Sequence, residues 1–312
     1  MEMTRYRTVI RFVLGAGMFF QCCHSHVNCR NDHGHEVDWY ILYKLPNVNN
    51  GGLAYLYMDK STNGWNRSRK NIDSTSGTLA NTLKPLLDFY KRKMEGFGYM
   101  LYNDQPPDSN PAPASFGHSK GLQLKYIHAY PYDSDIPKTF HEELRCVAQR
   151  SCYPKRAPWF REKILTSVEG HKFHSFAKYH RFGDDLYSGL IVKGLQQDLY
   201  VKSWGKMKRP LPSNCSIPNH VYNVYKVQPP KMPPPKMPPF MDTVDHSKWC
   251  VTPDRGRTCI ADMNREMSQM SRGGGAICTD DAAVGEAFYA MITKYKPCNS
   301  ERKNSNTQLR EL

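Results

Sequence analysis

The sequence predicts a mixed α/β protein made of two strand–helix halves related by internal pseudo-symmetry. Three observations carry this. Segments rich in β-branched and aromatic residues alternate with segments of helical spacing, and that order returns in the second half. The triplet His-Ser-Lys occurs twice, beginning at His118 and at His246, 128 positions apart. Each copy stands just after a proline-rich loop and just before an extended segment.

The elements follow in order. "VDWYILYKLP" (Val37–Pro46) ends at proline and reads as a buried strand, and "GLAYLYMD" (Gly52–Asp59) as its neighbour. "SGTLANTLKPLLDFYKRK" (Ser76–Lys93) has helical spacing, with Leu79, Leu83, Leu86, Leu87 and Tyr90 on one side and Pro85 expected to kink or split it. "FGYMLYNDQPP" reads as strand and turn. After the loop Gln105–Pro113 the first triplet opens into "GLQLKYIHAYP", which is strand-like. In the second half "HKFHSFAKYHRF" and "GDDLYSGLIVKGL" precede "QDLYVKSWGK", an expected strand, and "PPKMPPPKMPPF" (Pro229–Phe240) forms a semi-rigid spacer. The second triplet is followed by "ADMNREMSQMSRGGGAIC" and a last helix, "DDAAVGEAFYAMITKY". The organisation expected is an export signal at 1–23, a mobile N-terminus at 24–36, a first half at 37–150, a second half at 151–300 holding the Pro-rich loop 229–239, and a polar tail at 301–312.

Hydrophobic content of 39% and charged content of 23% are those of a globular chain. Arg5, Arg7 and Arg11 precede the apolar run Phe12–Phe20, a pattern of secretory signals and too short for the ~20 residues of a membrane helix. No other stretch is long enough to span a bilayer. Ten cysteines suit an oxidising compartment, and no pair has the CxxC spacing of a zinc site. Asn66-Arg67-Ser68 and Asn214-Cys215-Ser216 are candidate glycosylation sites. The formal charge of +14 favours a polyanionic partner, whether nucleic acid, sulfated sugar or anionic lipid, with simple solubility as the bland alternative. The His-rich stretch 24–36 lacks a helical His-xxx-His frame, so no metal site is assigned there.

His and Lys two positions apart on a strand share a face. Two such couples brought together supply phosphoryl transfer without a metal. One imidazole attacks phosphorus and forms a phosphohistidine; the other, protonated, donates to the departing oxygen and then activates water. The lysines neutralise the non-bridging oxygens. A lone His-x-Lys is mostly a solvated surface pair, whereas two copies with one middle residue in a basic, exported chain make a hypothesis. His171, His174 and His180 read as structural or surface groups. "RGGG" (Arg272–Gly275) reads either as backbone approaching phosphate or as a plain turn.

On "VDWYILYKLP", "LYNDQPP", "GHSKG", "SFAKYHRFGDDLYSGL", "LPSNCS", "DHSKWCVTP", "CIADMNR", "RGGGAIC" and "YKPCN", in family order from residue 37 to 299, the sequence resembles the deoxyribonuclease II family. These are acid endonucleases related to the phospholipase D superfamily. The resemblance implies two phospholipase D-like mixed-sheet repeats related by a pseudo-twofold and packed as one unit. It implies double-stranded DNA as substrate, no metal or cofactor, no membrane span, 3′-phosphate products, and a secreted or lysosomal location. By position it implies His118 with Lys120 as the first half-site, His246 with Lys248 as the second, Asn264 as a phosphate contact and His128 as a further catalytic histidine. His118 is the expected nucleophile and His246 the general acid, the reverse assignment staying open. It also implies disulfides Cys29–Cys146, Cys215–Cys298 and Cys259–Cys278.

The chain departs from the family pattern after the first triplet. It is shorter between the triplets, Lys125 and Tyr126 stand where an acidic residue is expected, a hairpin is missing, and Tyr132 replaces an expected Asn. Two readings follow: an active metal-independent acid endonuclease, or a secreted DNA-binding or host-interaction protein on the same scaffold with lost or impaired turnover. A phospholipase reading is disfavoured, because the likeness extends well beyond the triplets.

Overall fold

The structure, a computed structural model, describes residues 27–47, 52–102, 124–127, 130–230 and 237–298. The export signal, the first triplet and the polar tail fall outside these residues. The chain is mixed α/β and mostly sheet. Strands β1 (Cys29–Arg30) and β2 (Glu36–Val37) form a small hairpin, and β3 (Tyr40–Lys44), β4 (Tyr55–Asp59) and β5 (Asn66–Arg67) an antiparallel sheet. Helix α1 (Thr78–Lys91) leads to β6 (Tyr99–Tyr102), followed by α2 (Leu124–Ile127), β7 (Pro131–Asp135), which pairs with β6, and α3 (Glu142–Ala148).

The remainder builds one large mixed sheet. Its strands are β8 (Phe160–Thr166), β9 (Lys172–Lys178), β10 (Leu199–Lys202), β11 (Val221–Val227), β12 (Phe240–Met241), β13 (Trp249–Val251), β14 (Thr258–Ala261), β15 (Gly274–Thr279) and β16 (Ile292–Lys296). A π-turn at Tyr187–Ile191 continuing into α4 (Val192–Leu195) stands between β9 and β10, and α5 (Ala282–Tyr289) between β15 and β16. The order is β12-β11-β10-β13-β14-β15-β9-β8 with β16 also on β11; β10–β11 is parallel and every other pairing in it antiparallel.

Strand alternation sets the layers. Trp39, Ile41, Tyr43 and Leu45 turn one face of β3 toward Phe173, Val224, Trp249, Val251, Ile277 and Phe288, so early and late parts of the chain share one core. Tyr40 and Leu42 face the other way, toward Cys29, Tyr55, Tyr57 and Ile72. On the far side of the large sheet, Val201, Cys250, Cys259 and Cys278 pack under Leu186 and, from the π-turn, Tyr187 and Leu190. Strand β3 is therefore covered on both faces, as the unbroken apolar run predicts.

Four expectations about the elements need correction. Residues 29–37 form a hairpin in place of a mobile arm, because Asp32 is a tertiary anchor. Its carboxylate accepts hydrogen bonds from Tyr55 and Ser68, and from the amide (2.9 Å) and hydroxyl (2.6 Å) of Thr78. It thus serves as a distant cap for α1, whose own N-cap is Gly77. Pro85 sits within one continuous α1, whose buried positions are Thr78, Thr82 and Phe89, while Leu87 and Tyr90 are exposed. The threonines face inward because the hairpin meets them: Arg30 N donates to Thr82 Oγ1 at 3.0 Å. Residues 124–127 are helical where strand was expected. The last helix, capped by Asp281 on the amides of Ala283 and Val284, stops at Tyr289, and Ile292–Lys296 pairs with β11 as strand.

Burial pushes the Asp32 carboxyl up, but hydrogen bonds from Ser68, Thr78 and Tyr55 outweigh it and hold the group below its usual range. A depressed carboxylate stabilises the fold above the unfolded value of ~3.9, and that contribution is lost as pH falls through the folded value. Asp32→Ala is expected to cost about 2–3 kcal/mol at pH 7 in urea melts, and less at pH 2–3. An equal cost at both pH values would contradict the assignment.

The disulfides Cys215–Cys298 and Cys259–Cys278 are present as expected. Cys146 bonds Cys152, six positions on, and not Cys29, which is buried beside Tyr40 and Leu42. Closing so short a loop at the end of α3 requires no distant approach. The sequon Asn66 is exposed in β5, and the half-buried Asn214 pairs by backbone with Val221.

Candidate active site

Residues 245–248 lead in extended form into β13, and burial alternates along them. Asp245, Ser247 and Trp249 are buried, whereas His246 and Lys248 are only partly covered. His246 and Lys248 thus share the accessible side, as two-residue spacing in extended chain requires. Lys248 Nζ donates to the His246 carbonyl at 2.8 Å.

The buried side is a polar cluster that sequence reasoning missed. Lys202, at the end of β10, is 0% exposed. Its Nζ forms a 2.8 Å ion pair with Asp245 Oδ2 and donates to the carbonyls of Asp245 (2.9 Å) and Ser247 (3.2 Å). Tyr43 Oη donates to Asp245 Oδ2 at 2.6 Å, and the Ser247 hydroxyl lies 2.6 Å from that oxygen and 3.0 Å from Tyr43 Oη. The middle residue of this triplet therefore anchors it from the buried side. Burial works to raise the Asp245 pKa, but the Lys202 ammonium and the hydrogen bonds from Lys202, Ser247 and Tyr43 hold it below the ordinary carboxylate value. Burial and the Asp245 charge push the Tyr43 phenol well above its usual value, which keeps it a donor.

Trp204, two residues past Lys202, was also missed. Its indole stacks on the His246 ring, with centroids 4.1 Å apart and 25° between planes. Its backbone N donates to Asn264 Oδ1 at 3.1 Å, and Nε1 donates to the Thr243 carbonyl at 3.0 Å. One residue thus fixes the imidazole plane and the Asn264 side chain together. Asn264 is buried, its backbone N donates to Gln269 Oε1, and its Nδ2 meets the Met207 thioether at 3.6 Å, a weak acceptor. Such an amide retains donor capacity for an oxygen ligand. The signal for Lys202 and Trp204 in the sequence was a lysine and a tryptophan closing an otherwise apolar strand.

The motifs around this site hold one another. Arg265 Nε reaches Asp185 Oδ2 at 3.3 Å, both groups being buried, and its Nη1 donates to Asn223 at 2.6 Å. Tyr187 Oη donates to the Met263 carbonyl at 2.7 Å. "DMNR" is thereby seated on "FGDDLYSG". Lys178 is 0% exposed and donates to the carbonyls of Gln269, Met270 and Arg272; burial lowers its pKa to about 8. His171 reaches Thr279 Oγ1 at 2.8 Å and His174 lies 3.4 Å from Glu162, both structural contacts.

The second half of the "RGGG" run is strand, not turn. Gly274 and Gly275 are buried in β15, and the Gly275 amide donates to Asp262 Oδ1 at 2.9 Å. A Cβ on Gly273 would meet the Ile127 carbonyl oxygen at 2.4 Å, and one on Gly274 the Met263 side chain at 2.5 Å. The glycines let α2 and the strand leading from Asn264 come close. His118, Lys120 and His128 lie outside the described residues; Ile127, adjacent to His128 in sequence, is buried beside Ala177.

The deoxyribonuclease II family model matches residues 28–124 and 121–298, nearly the whole described chain. The chain belongs to the deoxyribonuclease II family. Rat deoxyribonuclease-2-alpha is 33% identical, the match covering 87% of this chain and 95% of that protein. Human deoxyribonuclease-2-beta is 30% identical over 92% of this chain and 96% of its own length. Plancitoxin-1 of Acanthaster planci is 30% identical over 87% and 92%. The two matched segments of this deoxyribonuclease II family chain meet just after the first His-Ser-Lys, where the sequence departs from the pattern. Among the described residues no helix is long and apolar enough to cross a membrane.

Proposed function

We propose that this chain is an acid endodeoxyribonuclease cutting double-stranded DNA without a metal. The supporting observation is the His246–Lys248 couple, held on an accessible face by the buried Asp245–Lys202–Tyr43 cluster and lined up with Asn264 through Trp204. In this reading two phospholipase D-like repeats face each other, and His118 with Lys120 completes the site. The His118 imidazole attacks phosphorus as the bond to the 5′-oxygen breaks, and His246 donates a proton to that oxygen. Water, losing a proton to His246, then displaces His118 and leaves a 3′-phosphate. Lys120, Lys248 and Asn264 hold the non-bridging oxygens, with His128 as a further catalytic histidine. Asp245, depressed by its partners, stays ionised in acid solution where ordinary imidazoles (~6.5) protonate, so the scaffold persists under the conditions the chemistry needs. A secreted or lysosomal setting suits such chemistry.

The family match divides into two segments that overlap at 121–124, just after the first triplet, and this supports a second reading, a DNA-binding protein with impaired turnover. Supercoiled plasmid incubated with the full chain at about pH 5 in excess chelator separates the two. Nicking that declines toward pH 8 is expected. Retarded but intact plasmid supports the binder, and activity peaking at pH 8 with a Mg²⁺ requirement overturns the histidine mechanism.

A further inference from the structure

We propose that the segment Lys206–Arg209 is a phosphate-tracking arm that carries duplex DNA beside the His246–Lys248 site, contacting the backbone outside the reacting diester. The proposal rests on the nuclease reading and extends it to the flanking substrate.

The segment departs directly from Trp204 and is held along its length. The Gly205 amide donates to the Asp242 carbonyl at 3.1 Å, Met207 lies against Asn264, and the Met267 amide donates to the Arg209 carbonyl at 3.1 Å. The Leu211 amide donates to the Arg265 carbonyl at 3.0 Å, and Pro210 bridges to Glu266. A Cβ on Gly205 would run into the Asp242 carboxylate at 2.3 Å, so the backbone is pressed onto its support there. This is a fixed rim of the site.

Between those ties stand Lys206, Lys208 and Arg209, all exposed, and no ion pair joins any of them to a carboxylate among the described residues. By contrast Lys60, Lys84, Lys93 and Arg255 are each neutralised by a neighbouring acid. Three uncompensated cations over a reach of at most ~10 Å match about three successive phosphates of one strand. Pinning their backbone lowers the ordering cost of binding, and the contacts carry no base information, as a sequence-tolerant nuclease requires.

The test measures binding of a fluorescein-labelled phosphorothioate duplex as a function of salt. Neutralising Lys206, Lys208 and Arg209 together to Gln is expected to lower the slope of log K against log[salt] by about 2–3 and to weaken binding at least ~10-fold at physiological salt. A control removes the same charge elsewhere: Arg161→Gln, Lys163→Gln and Lys172→Gln on the exposed faces of β8 and β9. Those strands stand four and five places from β10 in the sheet, roughly 19–24 Å at ~4.8 Å per strand, beyond the screening length of ~8–10 Å. The control is expected to keep the parental slope. Equal slopes for the parent and the 206–209 variant, or equal losses in variant and control, overturn the arm. Salt-dependent binding lost in the variant, with a parent that never nicks plasmid, would leave the arm standing and remove the nuclease reading.

Discussion

His246→Ala is expected to lower plasmid nicking at pH 5 by at least ~10³-fold while the melting temperature stays within a degree or two of the parent. The large loss follows from the proposed role: a positioned acid–base imidazole contributes ~10²–10⁴-fold, and paired groups that act as a unit lose most of their effect when one is removed. The small stability change follows from placement. The imidazole is only partly covered, and the groups that fix the local backbone are Asp245, Ser247, Lys202 and Tyr43. Lys248→Ala should fall in the same direction by ~10²–10³-fold, through lost charge neutralisation. Plasmid conversion followed on gels, with melting by circular dichroism, checks both. A His246→Ala protein that nicks at the parental rate would remove this residue from the mechanism.

The second large effect belongs to a residue that never meets DNA. Lys202→Met leaves the Asp245 carboxylate, 3% exposed, without its cation, and is expected to cost about 3–5 kcal/mol. It also releases the carbonyls of Asp245 and Ser247 that bracket His246, and a shift of ~1 Å in a reacting group costs ~10²-fold in rate. Adding Asp245→Leu should restore stability in part but not activity, because the charge is gone while the seat of the triplet remains altered. Urea melts and nicking rates on the single and double variants measure this. Its pH dependence has a definite sign. Asp245 is depressed in the fold, so its contribution is complete above ~3.9 and vanishes only as pH falls through its lower folded value. In Lys202→Met the burial that raises the Asp245 pKa is no longer opposed by the ammonium, so the carboxyl takes up a proton more readily in acid and the penalty should be smaller at pH 5 than at pH 7.

The shared side of His246 and Lys248 was legible from short-range pattern and much of what holds it was not, for reasons that particular residues make clear. The His246–Lys248 couple could be read because two-residue spacing fixes relative direction in extended chain. Strand β3 could be read because a run buried on both faces is apolar throughout. The inward face of α1 could not, since Thr78 and Thr82 are buried by polar contacts to Asp32 and Arg30, some fifty positions earlier. Lys202 and Tyr43 resisted for the same cause: their value lies in Asp245, which is 43 positions from one and 202 from the other. Segment 124–127 carries a strand-like composition, yet it coils against Ala177 and Gly273, and tertiary packing overrides its propensity. Cys146 shows the converse error, in which a likeness to distant relatives outweighed a nearer partner in the chain itself.

The contact at Gly273 has a consequence for how this chain can vary. Main chain rests on main chain there, so even a methyl group would wedge the amino-terminal portion away from the strand beyond Asn264. A single alanine at Gly273 would have to push segment 124–127 off this seam.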